Sequence, residues 1–368
     1  MPSRTSESLF YLVAMRMLLL ILLFFNACSS HLSEWKEIVY ENFPQEKYLK
    51  STIIELDTAI FRYPFRVRIH KDKAVILDLH NTDNFYHLFT YPEFTYLSSF
   101  GKKGEAPLEM LSADNIRFLG QHDVWILDAN KSKLIRLGFP LSASGDSLLI
   151  REVVSLDNGI LRALDFSLYN DSTFIIPDYS GAHRFCWVDR KGHLICKAGT
   201  IPTADKEALQ HAGPALAQAW RSFIDYNPHN GVLAAVTQLG EVLEVYNLKD
   251  STHVVCKGPH GEPEFRQSEG YAIPTGIMGF SDVQVTDHYI YAVFHGRTFK
   301  ELSQQKGRII DGGQYIYIFS LQGEPVCKYI LDRYIYGIYV DESQGTIIAT
   351  DVNSDQPIVE FRVNLIKS

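Results

Sequence analysis

The sequence has no basic stripe. Lys and Arg total 35 against 43 Asp and Glu, a formal net charge of −8, which argues against nucleic acid as a partner. Gly (24) and Pro (15) are near average and no low-complexity run occurs, so collagen-like, fibrous and disordered readings are out. The 13 His are scattered, with no H-E-x-x-H and no C-x-x-C. There is no G-x-S-x-G nucleophile elbow. The Gly-rich stretch from Phe100 to Pro107 (FGKKGEAP) lacks the G-x4-G-K-[ST] spacing of a phosphate loop and reads as a turn that uses positive-φ glycines. No catalytic residue, metal site or cofactor is legible. That does not exclude an enzyme, because an active site can gather residues from distant repeats.

What is present is apolar and aromatic. Hydrophobic residues make up 46% of the 368, enough for a large core, and the 22 Phe and 20 Tyr favour strands. Residues Met15 to Cys28 read MRMLLLILLFFNAC: a charged Arg16, a short apolar core from Leu18 to Phe25, then small residues before a cysteine. This is the pattern of a secretory signal, and the cysteine resembles the acylation site of bacterial lipoproteins. Phe25 stands where a lipobox usually has Leu. We expect residues 1–27 to be a lipoprotein signal, Cys28 the lipidated residue and 28–45 a tether. A retained anchor and plain secretion are the alternatives, since Phe10 to Ala27 is short for a membrane span and contains Arg16. Met15 is an alternative start. Ser29, rather than Asp, follows the cysteine, and no compact acidic run comes after it, so a periplasm-facing outer-membrane position is expected.

A unit recurs along the rest of the chain. AVILD, VWILD and FIIPD end at Asp78, Asp128 and Asp178, at a spacing of fifty residues, and IIATD ends at Asp351. LAAVTQ at Gln238 and IYAVFH at His295 keep the frame without the Asp. Each copy has an alternating strand before it, a polar turn and a third strand after it, and most have a fourth. Six units of four short strands predict an all-β, six-bladed β-propeller over residues 46–368. The sixth unit lacks its fourth strand, and Ser51 to Leu56 (STIIEL) is the candidate to close the ring and remove an open edge. The recurring Asp reads as a turn cap rather than a metal ring. One short helical insertion is expected from Thr203 to Trp220, capped by Thr203 and split at Gly213-Pro214. Cys186, Cys196, Cys256 and Cys327 lie in apolar runs that suit buried free thiols. A Cys186–Cys196 disulfide across the DRKGH turn is the alternative.

Aligned on the terminal Asp, the first strands place Arg66, Asn115, Asp165 and Asp282 at equivalent starts. Arg68, Arg117, Ser167 and Gln284 come two residues later on the same side, and Asp225 is close to this frame. These polar positions are the candidates to line a central channel, while Val67, Ile116, Phe118 and Val283 between them would pack between blades. A Glu/Asn/Asp set such as metal-dependent propeller lactonases use would draw on Asn115, Asp165 and Asp282, but the interleaved arginines disfavour a cation.

Three stretches resemble the TolB-like six-bladed β-propeller lipoproteins of Gram-negative envelopes: Phe100 to Glu109, the segment from Ala217 through Asn227-Pro228 to VLEVYNL, and Tyr289 to Thr298. The resemblance spans roughly residues 45 to 365. It implies the propeller fold and an envelope address, and carries over no catalytic residue. The sequence thus points to a lipid-anchored envelope protein that binds or scaffolds an envelope protein partner or a small ligand, without a cofactor. The alternative is a channel-centred hydrolase or ligand receptor using a divalent ion or a small molecule in the pore.

Overall fold

The computed structural model describes residues 34–56, 61–120, 122–139, 149–305 and 310–363. Cys28 and the rest of the signal segment lie outside the described residues, so the lipidation expectation has no structural counterpart here. Among the described residues no helix is long and apolar enough to cross a membrane.

Six antiparallel blades follow one another around a ring. Their innermost strands are Pro64–His70, Ile116–Leu119, Ser167–Asn170, Ser222–Asn227, Phe280–Val285 and Ile338–Asp341, in chain order. The second strand of each blade is a continuous apolar run, buried almost throughout, as in Lys73–Asp78, Asp123–Asp128 and Val232–Thr237. The radial stacking explains this. A blade buries both faces against its neighbours, so its middle strands read as unbroken apolar segments rather than alternating ones. Outer strands expose one face, and Leu149–Ser155 is the extreme case.

The ring is closed by the N-terminal segment. Ser51–Ile54 pairs antiparallel with Ile358–Arg362 and supplies the fourth strand of blade 6. The chain before it does more than the sequence reading foresaw. Lys36–Val39 lies parallel along the outer strand of blade 4, and Glu46–Leu49 lies parallel along that of blade 5, so these two blades have five strands. Between them Tyr40 and Phe43 are buried, packed edge-on at 5.3 Å from each other and against Phe319. The Tyr40 hydroxyl donates to Glu241 at 3.1 Å.

Departures from the repeat occur on one side of the ring. The expected helical insertion is a pair of helices, Lys206–His211 and Gly213–Ala219, split at Gly213-Pro214. The N-cap is Asp205, whose carboxylate accepts from Ala208 N, and not Thr203, whose hydroxyl instead donates to Glu262 and accepts from Asp205 N. A hairpin, Phe265–Ser268 with Tyr271–Pro274, leads into blade 5. A third helix, Phe299–Gln304, interrupts that blade with a full capping box between Thr298 and Glu301. One helical insertion is therefore corrected to two. The longer insertion of blade 5 stands out in the repeat, but its helix does not, because it is only six residues long and buries none of them.

Asp128, Asp178 and Asp351 cap the turns that follow them, accepting from the amides of Lys131, Ser180 and Asn353, while Asp78 accepts from Arg62 and Tyr63, and Asp128 also from Leu111, in the segments that lead into the inner strands. Gly101 and Gly104 have φ of 69° and 156°, so the FGKKGEAP stretch is the turn its glycines indicated, and the Lys131 ammonium donates to two of its carbonyls, Gly104 and Ala106, and to that of Glu109 just beyond it. Cys186, Cys256 and Cys327 are free and buried, and the Cys186–Cys196 pairing is not made.

Candidate functional site

The innermost strand of each blade has one edge with no strand beside it. Its N–H and C=O groups face the axis and need partners. Several of the polar residues predicted to lie there supply them: the aspartates and Gln284 reach the next blade, and the arginines reach further round the ring. Asp165 of blade 3 accepts from Ile224 N of blade 4 at 3.0 Å. Asp225 of blade 4 accepts from Val285 N of blade 5 at 2.8 Å. Asp282 of blade 5 accepts from Ile338 N of blade 6 at 3.0 Å. Gln284 both accepts from Val340 N and donates to Val340 O. The carbonyls are met by arginines: Arg117 donates to Phe166 O and Ile224 O, Arg66 to Ser281 O, and Arg68 to Ile338 O.

These groups also pair with one another. Arg68 grips Asp282 through two bonds of 2.9 and 2.8 Å, and Arg66 stands 3.2 Å from the same carboxylate, sandwiched over the rings of Phe65 and Phe223. Arg117 bonds Asp225 at 2.6 Å and lies 3.7 Å from Asp165, which also receives the Asn115 amide. The structure therefore gathers Arg66, Asp282 and Arg68 into one cluster and Asn115, Asp165, Arg117 and Asp225 into a second, with Gln284 tying blade 5 to blade 6. Three arginines face three aspartates, so the centre carries no net charge. Burial raises the Asp282 carboxyl, but Arg66 and Arg68 more than offset this and hold it below its ordinary value. Burial raises Asp225, and Arg117 and the Val285 amide only partly counter it.

Above this floor opens a funnel of about 650 Å³ at the end of the ring where the inner strands finish. Arg68, Arg117, Asp225 and Gln284 reach it from below. Arg66, Asn115, Asp165 and Asp282 do not line it. Its walls are aromatic and half-buried: Phe118, Tyr169, Tyr226 and Tyr339. Tyr169 and Tyr226 lie 5.4 Å apart, and Phe118 stacks on His70 at 5.6 Å. The wall was missed in the sequence, and Phe118 is corrected from a purely interblade position to one that also faces the funnel. The available signal was position, since these residues sit at or just past the ends of inner strands, where a propeller's channel opens.

Among the described residues no three or more His, Cys, Asp or Glu converge as a metal site would require. The axial carboxylates are committed to guanidiniums and backbone amides. A cation would have to displace those donors. Ser167 also lines the funnel.

A family model described as TolB-like 6-blade propeller-like matches residues 42–343. No curated protein matches the chain. Solved structures of similar fold include a candidate exported protein from Bacteroides fragilis, at 11% identity and TM-score 0.53, covering 90% of this chain and 100% of that one. A member of a family of unassigned function (DUF4221) from Bacteroides vulgatus has 10% identity and TM-score 0.52, covering 87% and 98%. An auxiliary nutrient binding protein from Bacteroides ovatus has 12% identity and TM-score 0.51, covering 89% and 75%. At these identities the likeness is one of fold.

Proposed function

This chain belongs to the TolB-like six-blade propeller-like family, and from that premise and the geometry of its axis we propose that it is a lipid-anchored binding protein of the cell envelope. It is tethered at Cys28 to the outer membrane on the periplasmic side, and its funnel takes a small neutral ligand of the sugar class. The funnel carries this reading. Its volume is that of a small-molecule site, its walls are aromatic, and its floor offers donors and acceptors that sum to no charge. Flat apolar ring faces against Tyr169 and Tyr226, with hydroxyls toward Arg68, Arg117, Asp225 and Gln284, suit a polyol better than an ion. The floor groups are already ion-paired, which supports binding over hydrolysis and leaves a divalent ion no open carboxylate set. The names of the Bacteroides fragilis and Bacteroides ovatus neighbours are in keeping with an exported ligand binder.

Isothermal titration of the full chain with a panel of mono-, di- and trisaccharides tests the reading. At least one should bind, and Tyr169→Ala and Tyr226→Ala should each weaken it by about tenfold, near 1.4 kcal/mol, without changing the melting temperature. A panel silent at millimolar concentration would remove the sugar assignment.

A second reading, a scaffold for an envelope protein, rests on the exposed apolar residues of the outer strands and turns of blades 1 and 2: Leu97, Leu108, Leu149, Ile150 and Val153. Crosslinking in native envelopes with a C-terminally tagged full chain tests it. One dominant partner, lost when Leu149 and Ile150 become Ser but retained in Tyr226→Ala, is the outcome it requires.

A further inference from the structure

The departures from the propeller repeat build a second cavity, of about 360 Å³, at the opposite end of the ring from the funnel. The placement follows from topology. The funnel is walled by residues at the finish of inner strands, such as Tyr226 and Tyr339, whereas this cavity is walled by residues just before inner strands and just after second strands, such as Arg221 and Tyr179. All the insertions meet there. The helix pair contributes Gln218, the hairpin Pro274 and the blade 5 helix Phe299. Insertions gathered on one face of a repeat protein commonly form its binding face.

The lining has a definite chemistry. Two guanidiniums, Arg162 and Arg221, belong to it, and no acidic residue does. Neither makes a side-chain hydrogen bond or ion pair among the described residues, unlike the three axial arginines, each of which is committed. Tyr179 lines the same cavity and is 7% exposed; among the described residues its hydroxyl makes no hydrogen bond of good geometry, although the Ser222 amide lies near it. A buried hydroxyl left unpaired costs stability unless a ligand completes it. The lining also includes Leu164, Leu239, Met278 and Phe299, which give it an apolar part. The carboxyl that Arg221 affects electrostatically, Asp114 of blade 2, lies outside the lining and is engaged by Ser112 and the Ala129 amide.

We infer that this cavity is a second ligand site, which takes a small carboxylate on an apolar body. The carboxylate sits between Arg221 and the Tyr179 hydroxyl, Arg162 supplies charge at the rim, and the body packs against Met278 and Phe299. Guanidinium recognition of a carboxylate and the donor from Tyr179 fix orientation, and the apolar wall selects against a bare inorganic anion. The inference is independent of the sugar reading, since the two cavities share no residue.

The test is titration of the full chain with phenylacetate, its neutral isostere phenylacetamide, and inorganic phosphate. Phenylacetate should bind at least tenfold more tightly than phenylacetamide. Arg221→Gln should weaken phenylacetate by about tenfold or more and Tyr179→Phe by severalfold. Tyr226→Ala in the funnel should leave it unchanged. Thermal melting of each variant checks that it folds, and Arg162→Gln, at an exposed position, provides a second charge variant should Arg221→Gln not fold. Equal affinity for acid and amide, phosphate binding as well as phenylacetate, no binding at millimolar concentration, or insensitivity to both arginine variants would each overturn the assignment. Loss of phenylacetate binding in Tyr226→Ala would place the ligand in the funnel instead.

Discussion

Single residues at the axis carry opposite kinds of consequence from those the sequence suggested. Asp282 reads in isolation as a possible metal ligand. In the structure it neutralises two arginines, one of them 1% exposed, and its removal leaves Arg66 buried without a counter-charge. Asp282→Ala should therefore destabilise by about 3–5 kcal/mol, read by urea unfolding, with no change in bound metal. Unchanged stability would mean that the Arg66 and Arg68 pairing is not made in solution. Two further buried groups set the response to pH. Burial pushes the Asp114 carboxyl from 3.8 up to about 6, so the folded protein holds that proton more tightly and this group's contribution falls as pH rises from about 4 to 6. Burial pushes His295 from 6.5 down to about 4, and among the described residues its ring nitrogens have no hydrogen-bond partner, so its contribution is lost as pH falls through the same range. The two oppose one another. Asp114→Asn should thus gain on the wild type as pH rises from 4 to 6.5, and His295→Phe should gain as pH falls, each by up to about 3 kcal/mol. Chemical denaturation at several pH values reads both, and parallel profiles for variants and wild type would contradict the burial argument. None of this was legible in the sequence. Alternation put Arg66, Asp165 and Asp282 on the right side of their strands, but it says nothing of which carboxylate meets which arginine one or two blades away.

At the scale of elements, the sequence was most readable where one blade packs on another. Middle strands must be apolar on both faces, so they stand out as runs that recur. Ser51–Ile54 was legible for a different reason: the sixth unit was one strand short, and an unpaired edge demands a partner. The strands Lys36–Val39 and Glu46–Leu49 were not legible. They add in parallel to blades that are already complete, with largely exposed side chains, and leave no gap in the repeat to be filled. The blade 5 helix left one usable trace, a Thr followed three residues later by Glu, the capping-box signature, which is easily passed over in so short a segment. The N-terminal segment also yields a prediction. Phe43 packs against Tyr317 at 4.5 Å and against Phe319, so Phe43→Ala should cost about 3 kcal/mol in unfolding free energy. A free tether over residues 28–45 would instead give a change near zero.

The whole molecule is a closed ring whose two ends differ. One end opens as an aromatic funnel over a neutral, fully paired axis. The other is built up by insertions around uncommitted arginines. The repeat revealed the ring because it is a property of the entire chain, while the cavities come from what each repeat does differently, which an alignment on shared positions removes. The proposed anchor also belongs to this scale. Cys28→Ser should move the protein from the membrane pellet to the soluble envelope fraction with its melting temperature unchanged, and persistence in the pellet would count against lipidation at Cys28. The account's central claim is that the funnel is where the ligand sits. Hydrogen–deuterium exchange of the full chain, with and without a saturating saccharide mixture, tests it most directly. Slowed exchange confined to peptides containing Phe118–Gly120, Leu168–Ser172, Tyr226–Pro228 and Tyr339 is the predicted result. Slowed exchange on the outer strands of blades 1 and 2 instead, or none anywhere, would contradict it.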